Sequence, residues 1–581
     1  MPRPLRILSA FSAAIIFTCT LSGVARLSAA DPLRFMPQQA GFILKVEQPR
    51  QFVEAIATLD VYQNAQQFPQ VREYLDSTPV RRFFQLVAFL ETQTGSPWPE
   101  LIDKLAGGGI ALGIAIADDP APALLVVQGT DEAAVETTYK LLLAAITDEA
   151  SRDGSNQPLR KAKFGDIDTI HAGDEFHAAR VGSVVFISNT DEALRAGLAL
   201  AAKKEGQSAL DRPTVAAART LVGGDPVAWA WFDLAKVKES QEAKDFLEST
   251  RSDIFQTVIF GSTVDAVRRS DFLCAGLFQT RSGFHFTLRM PAKRADLDDA
   301  MALHVPKEDR PGSLPLLQPK GVVYSQSFYL DLAHLWTNRK TLINDEVREQ
   351  LEKADTDISK VLPGTTFGTL LEQSGPYHRV VMAHTGEKLY SREPGQLIPP
   401  FAVVTSMRDE AFGQSMDGVL RGGAFLAGFQ TGWKMAEEKF DGVTVVSYRF
   451  PEKGEPKFDD PEGLRFAFAP AFAVVGKSLV VGSTPGIVKA LIPELKKEAQ
   501  DEGARAVWRA KAYLPGAAEV LLAYPEQAIT QMVLTQGIGL AEAKQQVQDL
   551  AAWLRTLGTY ELRIDHADAM YTIDIEWKYG K

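Results

Sequence analysis

The side chains best suited to chemistry crowd into one short stretch, where His171, Asp174, Glu175 and His177 place two imidazoles and two carboxylates within seven residues. A bound transition metal would need both imidazoles on one face, each nitrogen roughly 2 Å from the ion. The solvated tip of a β-hairpin carries the same residue types, and that simpler reading leaves no metal ligand assigned. Asp166 and Asp168 alternate onto one face of a strand, as a carboxylate acid/base pair would. Aspartates are common beside turns, however, and aligning Lys163 with Lys439 puts Gly442 and Thr444 at the matching positions, so a structural use is expected. His378 and His384 repeat the six-residue spacing. Along one strand that is roughly 20 Å, too far to share an ion.

Other groupings are weaker still. Gly107-Gly108-Gly109 precedes a strand, whereas a dinucleotide loop follows a strand and opens a helix, so it is expected to be a tight lead-in to the strand. The cluster Asp459-Asp460-Pro461-Glu462-Gly463 offers oxygen ligands without the spacing that wraps calcium, and reads as a solvated loop. Trp229 and Trp231 share one strand face, as core residues or as a platform for an apolar or sugar ligand, with core packing expected. The chain has no phosphate-loop, zinc-helix, nucleophile-elbow or Ser-x-x-Lys motif. No catalytic, cofactor-binding or metal residue is assigned and no cofactor is implied, which inclines the reading away from an enzyme.

The elements that would position such residues repeat along the chain. Residues 122–133 (PALLVVQGTDEA) align without a gap with 400–411 (PFAVVTSMRDEA), and 181–190 (VGSVVFISNT) with 475–484 (VGKSLVVGST). Alternation predicts strands in the first half at 41–46, 110–117, 123–127, 166–171, 175–180, 184–188 and 227–232. Helices are expected from about 50, from about 131 to 149 with Thr130 or Asp131 as cap, and from about 191. The 166–171 and 175–180 runs flank an Ala172-Gly173-Asp174 turn and predict a hairpin. In the second half, strands are expected at 322–329, 402–405, 442–448, 466–472 and 479–481. Thr484-Pro485 is a helix start, an N-cap hydroxyl followed by proline at the first helical position. Residues 525–556 read as a helix pair lying on the second sheet. Alternating strands at 284–289 and 571–576 close the two halves.

The pattern predicts an α+β protein of two related domains, each a mainly antiparallel or mixed sheet with helices packed on one side. The expected divisions are a signal peptide at 1–30, a first repeat domain at 31–304, a proline-rich linker at 305–320 and a second repeat domain at 321–581. Arg3 and Arg6, an apolar stretch near 7–21 and Ser28-Ala29-Ala30 form the three-part layout of a secretory signal. Acylation at Cys19 is disfavoured, because Thr18 precedes it where a small residue is required. Without that segment and its three arginines the net charge moves from −11 to −14, which argues against nucleic acid as a partner. Only Cys274 would remain, so an internal disulfide is excluded and stability must come from packed cores. No later segment is apolar for long enough to span a bilayer.

The hairpin lead-ins Phe164-Gly165-Asp166 and Phe440-Asp441-Gly442, and the Val-Gly strands ending in Asn189-Thr190 and Ser483-Thr484, make the chain resemble a large group of exported bacterial proteins classed under a domain of unknown function. The resemblance implies an exported protein, periplasmic or extracellular, without catalysis, and carries over no site residue. The leading expectation is a binding or assembly module with an unidentified small-molecule or protein ligand. The alternatives are an envelope carrier or sensor of a lipid or other apolar ligand, and a hydrolase lacking a known motif.

Overall fold

The computed structural model describes residues 31–581 apart from 58–63, 67, 117–119, 153–158, 204–205, 250–253, 298, 308, 362–363, 393, 395–397, 455–457, 461–462, 499–502, 568 and 580–581. The expected signal peptide and Cys19 lie outside the described residues. The fold is α+β, with antiparallel strand pairing and helices packed on one side of the sheet. The chain divides into two compact units, one comprising residues through Gln241 together with Ser270–Met290, the other Glu242–Arg269 together with Pro291–Lys581.

In the first unit the strands are β1 (Ala40–Val46), β2 (Gly109–Ala115), β3 (Ala123–Gln128), β4 (Arg160–Phe164), β5 (Ile167–Ala172), β6 (Phe176–Val181), β7 (Val184–Ser188), β8 (Ala228–Asp233), β9 (Phe272–Thr280) and β10 (Gly283–Met290). Their lateral order is β4-β5-β6-β7-β3-β2-β1-β8-β9-β10. Helix α1 (Glu132–Arg152) follows β3, α2 (Asp191–Ala201) follows β7 and α3 (Pro213–Val222) precedes β8. The buried face gathers Ile43, Leu124, Val126, Phe186, Trp229, Trp231 and Cys274 with Val215, Ala218 and Val222 of α3 and with Leu194 and Leu198 of α2. Those two leucines are four apart and lie on one helix stripe. Gly197 lets α2 approach this closely, since a Cβ there would stand 2.7 Å from Leu124 Cδ2.

In the second unit the strands are β11 (Val322–Tyr329), β12 (Ser374–Ala383), β13 (Phe401–Met407), β14 (Lys434–Phe440), β15 (Val443–Arg449), β16 (Ala471–Val475), β17 (Ser478–Gly482), β18 (Trp508–Tyr513), β19 (Thr559–Ala567) and β20 (Met570–Lys578). They run β14-β15-β16-β17-β13-β12-β11-β18-β19-β20, the same lateral order as β4 to β10 in the first unit. Its helices include α4 (Ile254–Arg269), α5 (Glu410–Thr431), α6 (Pro485–Lys497), α7 (Leu514–Ala523), α8 (Pro525–Gln536) and α9 (Leu540–Thr556). One core packs Val381, Val404, Val445 and Val480 against Ile487, Leu491 and Ile492 of α6. The 525–556 pair has a core of its own in Ile529, Ala543 and Val547.

Capping follows the sequence signals. Asp131 Oδ1 accepts from Ala134 N at 3.0 Å, and Thr190 and Thr484 Oγ1 accept from Ala193 N at 3.3 Å and Ile487 N at 3.4 Å. The strand expected at 466–472 is displaced toward the C-terminus and keeps only Ala471 and Phe472 of that range. Leu464–Ala467 is a short 3-10 turn, and the strand begins at Ala471, where pairing with β15 and β17 is available. Within the proline-rich stretch, Ser313 is fully buried, its Oγ donates to Ala506 O at 2.7 Å, and Gly312 N donates to Ala504 O at 2.7 Å.

Candidate functional site

Strands β5 and β6 form the hairpin that the turn chemistry predicts, with Gly173 at φ 61°. Their register opposes His171 to His177, so both imidazoles leave the same face of the sheet. The solvated-tip reading of this pair is corrected by its burial: His171 is 9% and His177 6% exposed, whereas Asp174 beside the turn is open to solvent. The cover is supplied by α2, which starts at Asp191 directly after β7, the neighbour of β6. Sequence spacing could not disclose this, because Asp191 meets the pair only once β7 has returned alongside β6.

The two Nδ1 atoms are 2.7 Å apart and Asp191 Oδ1 is 3.8 Å from His171 Nδ1. Nitrogens and carboxylate oxygen all lie within 4.8 Å of one another, a grouping able to hold a metal ion. Each ring is oriented from behind. His177 Nε2 donates to Asp174 O at 3.1 Å, and His171 Nε2 shares a hydrogen with Thr169 Oγ1 at 2.9 Å. Arg195 Nε donates to Asp191 Oδ2 at 2.6 Å, while Asp191 Oδ1 is buried without a hydrogen-bond partner. Burial, and then the adjacent His177, hold His171 below the ordinary imidazole range.

The remaining candidates do not converge. Asp166 lies in the turn before β5 and Asp168 is exposed on β5 beside Lys163, so they form no acid/base pair. His378 is buried in β12, bonded to Leu330 O and Thr405 Oγ1, while His384 lies beyond that strand against Tyr524. Gly107–109 is the expected tight lead-in: Gly108 N donates to Gln128 O at 2.9 Å, and a Cβ on Gly108 would meet the Gln128 side chain at 2.2 Å. The acidic 459–463 stretch is not simply solvated, since Asp460 is buried in an ion pair with Arg465 at 3.3 Å. Trp229 and Trp231 are core residues, the first donating from Nε1 to Glu47 Oε1 at 2.9 Å and the second lying under Arg212. Cys274 is also buried, and burial pushes its thiol up to about 12, which leaves it unreactive.

In the second unit, a half-open cleft of about 290 Å³ is lined by residues including Glu387, Tyr390, Arg392, Phe466, Thr484 and Tyr524. It ends at the N-terminus of α6, where an anion would be favoured. Glu387 already fills that position, its Oε2 accepting from Gly486 N at 2.7 Å. This cleft has mixed lining and is not a continuous apolar cavity beneath a sheet.

Helix α5 contrasts with the cleft. Phe412, Met416, Leu420 and Ala424 pack inward at four-residue intervals. The outward side of its second half carries Phe425, Leu426 and Phe429, which are 69%, 53% and 66% exposed. Phe425 and Phe429 meet edge to face with centroids 5.1 Å apart. From Gly422 through Trp433 the chain has no ionisable side chain. Strand β14, which follows, is exposed along its whole length and includes Met435 at 54%. Among the described residues, no helix is long and apolar enough to cross a membrane.

No family model matches the chain, and no curated protein matches it. Solved structures of TP0453 in crystal forms I, III and IV are similar to it at 10%, 9% and 10% identity. The matches cover 47%, 47% and 45% of this chain and 82%, 84% and 80% of those chains. Their TM-scores are 0.24, 0.24 and 0.20, too low to carry an argument about fold or function.

Proposed function

We propose that this is an exported, non-catalytic envelope protein that associates with lipid surfaces through helix α5, and that residues 31–304 and 321–581 arose by duplication of one α+β domain. The observation that carries the lipid reading is the uncharged apolar side of α5, with Phe425, Leu426 and Phe429 facing solvent. Exposed apolar clusters mark interaction surfaces, and an interfacial helix inserts such a side into the boundary between headgroups and acyl chains. The net charge of −14 for the chain without residues 1–30 gives no general attraction to anionic lipid. Association is therefore driven by apolar burial and takes place on zwitterionic membranes. The duplication reading draws on the ungapped repeats and the shared strand order, with domains at 31–304 and 321–581 joined through 305–320. The export reading draws on the signal-like layout of residues 1–30.

Flotation with phosphatidylcholine vesicles tests the lipid reading. The mature protein should rise with the vesicles equally at low and high salt, and Phe425→Ser with Phe429→Ser should leave it in the dense fraction. Each buried phenylalanine is worth about 1.5–3 kcal/mol, so the double variant should weaken binding at least about tenfold. Wild-type protein that stays with the dense fraction, or a double variant that floats normally, overturns the reading.

A further inference from the structure

We propose that His171, His177 and Asp191 form a binding site for a divalent metal ion of the zinc class. Two imidazole nitrogens and one carboxylate oxygen are a ligand set that zinc accepts, with a fourth position left for water. Asp191 keeps 42% of its side chain exposed, so the ion has a route in from solvent.

A carbonyl oxygen only accepts, so the bond to Asp174 O fixes the His177 proton on Nε2 and leaves a lone pair on its Nδ1. In the metal-free form His171 Nδ1–H donates to that lone pair, and the Thr169 hydroxyl donates to His171 Nε2. Asp191 Oδ1 is then the group left over, buried and unpartnered. When an ion binds, the His171 proton passes from Nδ1 to Nε2 and is donated to Thr169 Oγ1. Both Nδ1 lone pairs and Asp191 Oδ1 then face the metal, and no proton is lost from the set. The outer bonds to Thr169, the Asp174 carbonyl and Arg195 are those that orient metal ligands from behind.

The required movement is small. Metal–nitrogen bonds of about 2.05 Å in a tetrahedron put two nitrogens about 3.3 Å apart, against the hydrogen-bonded 2.7 Å. The rings must part by about 0.6 Å, and Asp191 Oδ1 must close on His171 Nδ1 by about 0.5 Å from 3.8 Å and on His177 Nδ1 by up to about 1.5 Å, movements that rotation of the half-exposed Asp191 side chain can supply.

The second unit supplies an internal comparison. Its strands β15 and β16 oppose Ser447 to Ala471 in the place where β5 and β6 oppose His171 to His177. The helix after β17 opens with Pro485 where α2 opens with Asp191. The same arrangement of strands and helix is thus built with no ligating side chain, so the fold does not require the two histidines.

Zinc titration of chelator-stripped mature protein by calorimetry tests the site. One zinc ion per chain is expected, with affinity falling at least about 100-fold in His171→Ser with His177→Ala and about 10- to 100-fold in Asp191→Asn. The double variant copies the pair found in the second unit and should fold, which circular dichroism checks. In the wild-type chain, zinc should shift the Cε1 NMR signals of His171 and His177 selectively among the eight histidines. The proposal is overturned by a wild-type chain that takes up no zinc, by variants that bind as tightly as wild type, or by shifts confined to other histidines.

Discussion

Lowering the pH from 7 to 5 should cost the second unit about 4 kcal/mol of stability through two buried histidines. His304 donates from Nε2 to Val258 O and has no partner at Nδ1, and burial depresses its pKa from 6.5 to about 4. His566 accepts from Arg269 Nη2 at 3.2 Å, and burial, then Arg269 and Arg294, lower it from 6.5 to about 4. Between those values the unfolded chain binds a proton that the folded chain refuses. The contribution of each histidine is therefore complete above pH 6.5 and is lost as the pH falls toward 4. Linkage gives about 2 kcal/mol per histidine at pH 5, a large share of the 5–15 kcal/mol typical of a domain. Histidine Cε1 NMR titration measures each pKa directly. Urea unfolding at pH 7 and pH 5 should show the pH-dependent loss shrinking by about 2 kcal/mol in His304→Leu and again in His566→Leu. Titration of either imidazole near 6.5, or a variant with the full wild-type pH dependence, would refute the reasoning.

Two further outcomes test the packing of the second unit. Arg379 is 2% exposed and pairs with Glu498 at 2.6 Å, so Arg379→Ala should cost about 3–5 kcal/mol by stranding the carboxylate, whereas Arg379→Leu with Glu498→Leu should be nearly neutral in urea unfolding. A Cβ on Gly516 of α7 would lie 2.2 Å from Val322 O, while one on Gly418 of α5 would meet nothing within 4 Å; Gly516→Ala should therefore lower the melting temperature, and Gly418→Ala should raise it through helix propensity worth about 1 kcal/mol.

Much of the local structure could be read from alternation and punctuation. The 166–180 hairpin, the strand 184–188, the helix at Asp191 and the Thr484-Pro485 helix start all form where turn and cap chemistry put them. Strands β4 and β14 carry little sequence signal, because Arg160–Phe164 and Lys434–Phe440 are almost wholly exposed and neither holds a sustained apolar alternation. Their strand character comes from pairing with β5 and β15, a non-local cause. The run 466–472 failed in the opposite sense. It is apolar enough for a strand, but Phe466 is buried within a 3-10 turn and ladder bonds begin only at Ala471.

The sequence by itself determined the strongly alternating strands, the caps that start the helices, the charge, and the presence of two histidines flanking a glycine turn. Each of these depends on neighbours within a few residues, so local sterics and hydrogen bonding suffice to fix them. Only the tertiary structure decided that His171 and His177 are buried beneath Asp191, and that the outer side of α5 is left uncovered. Burial is set by which distant element covers a face. The positions of α2 over β5 and β6, and of the sheet under only one stripe of α5, follow from cooperative packing that no local pattern encodes.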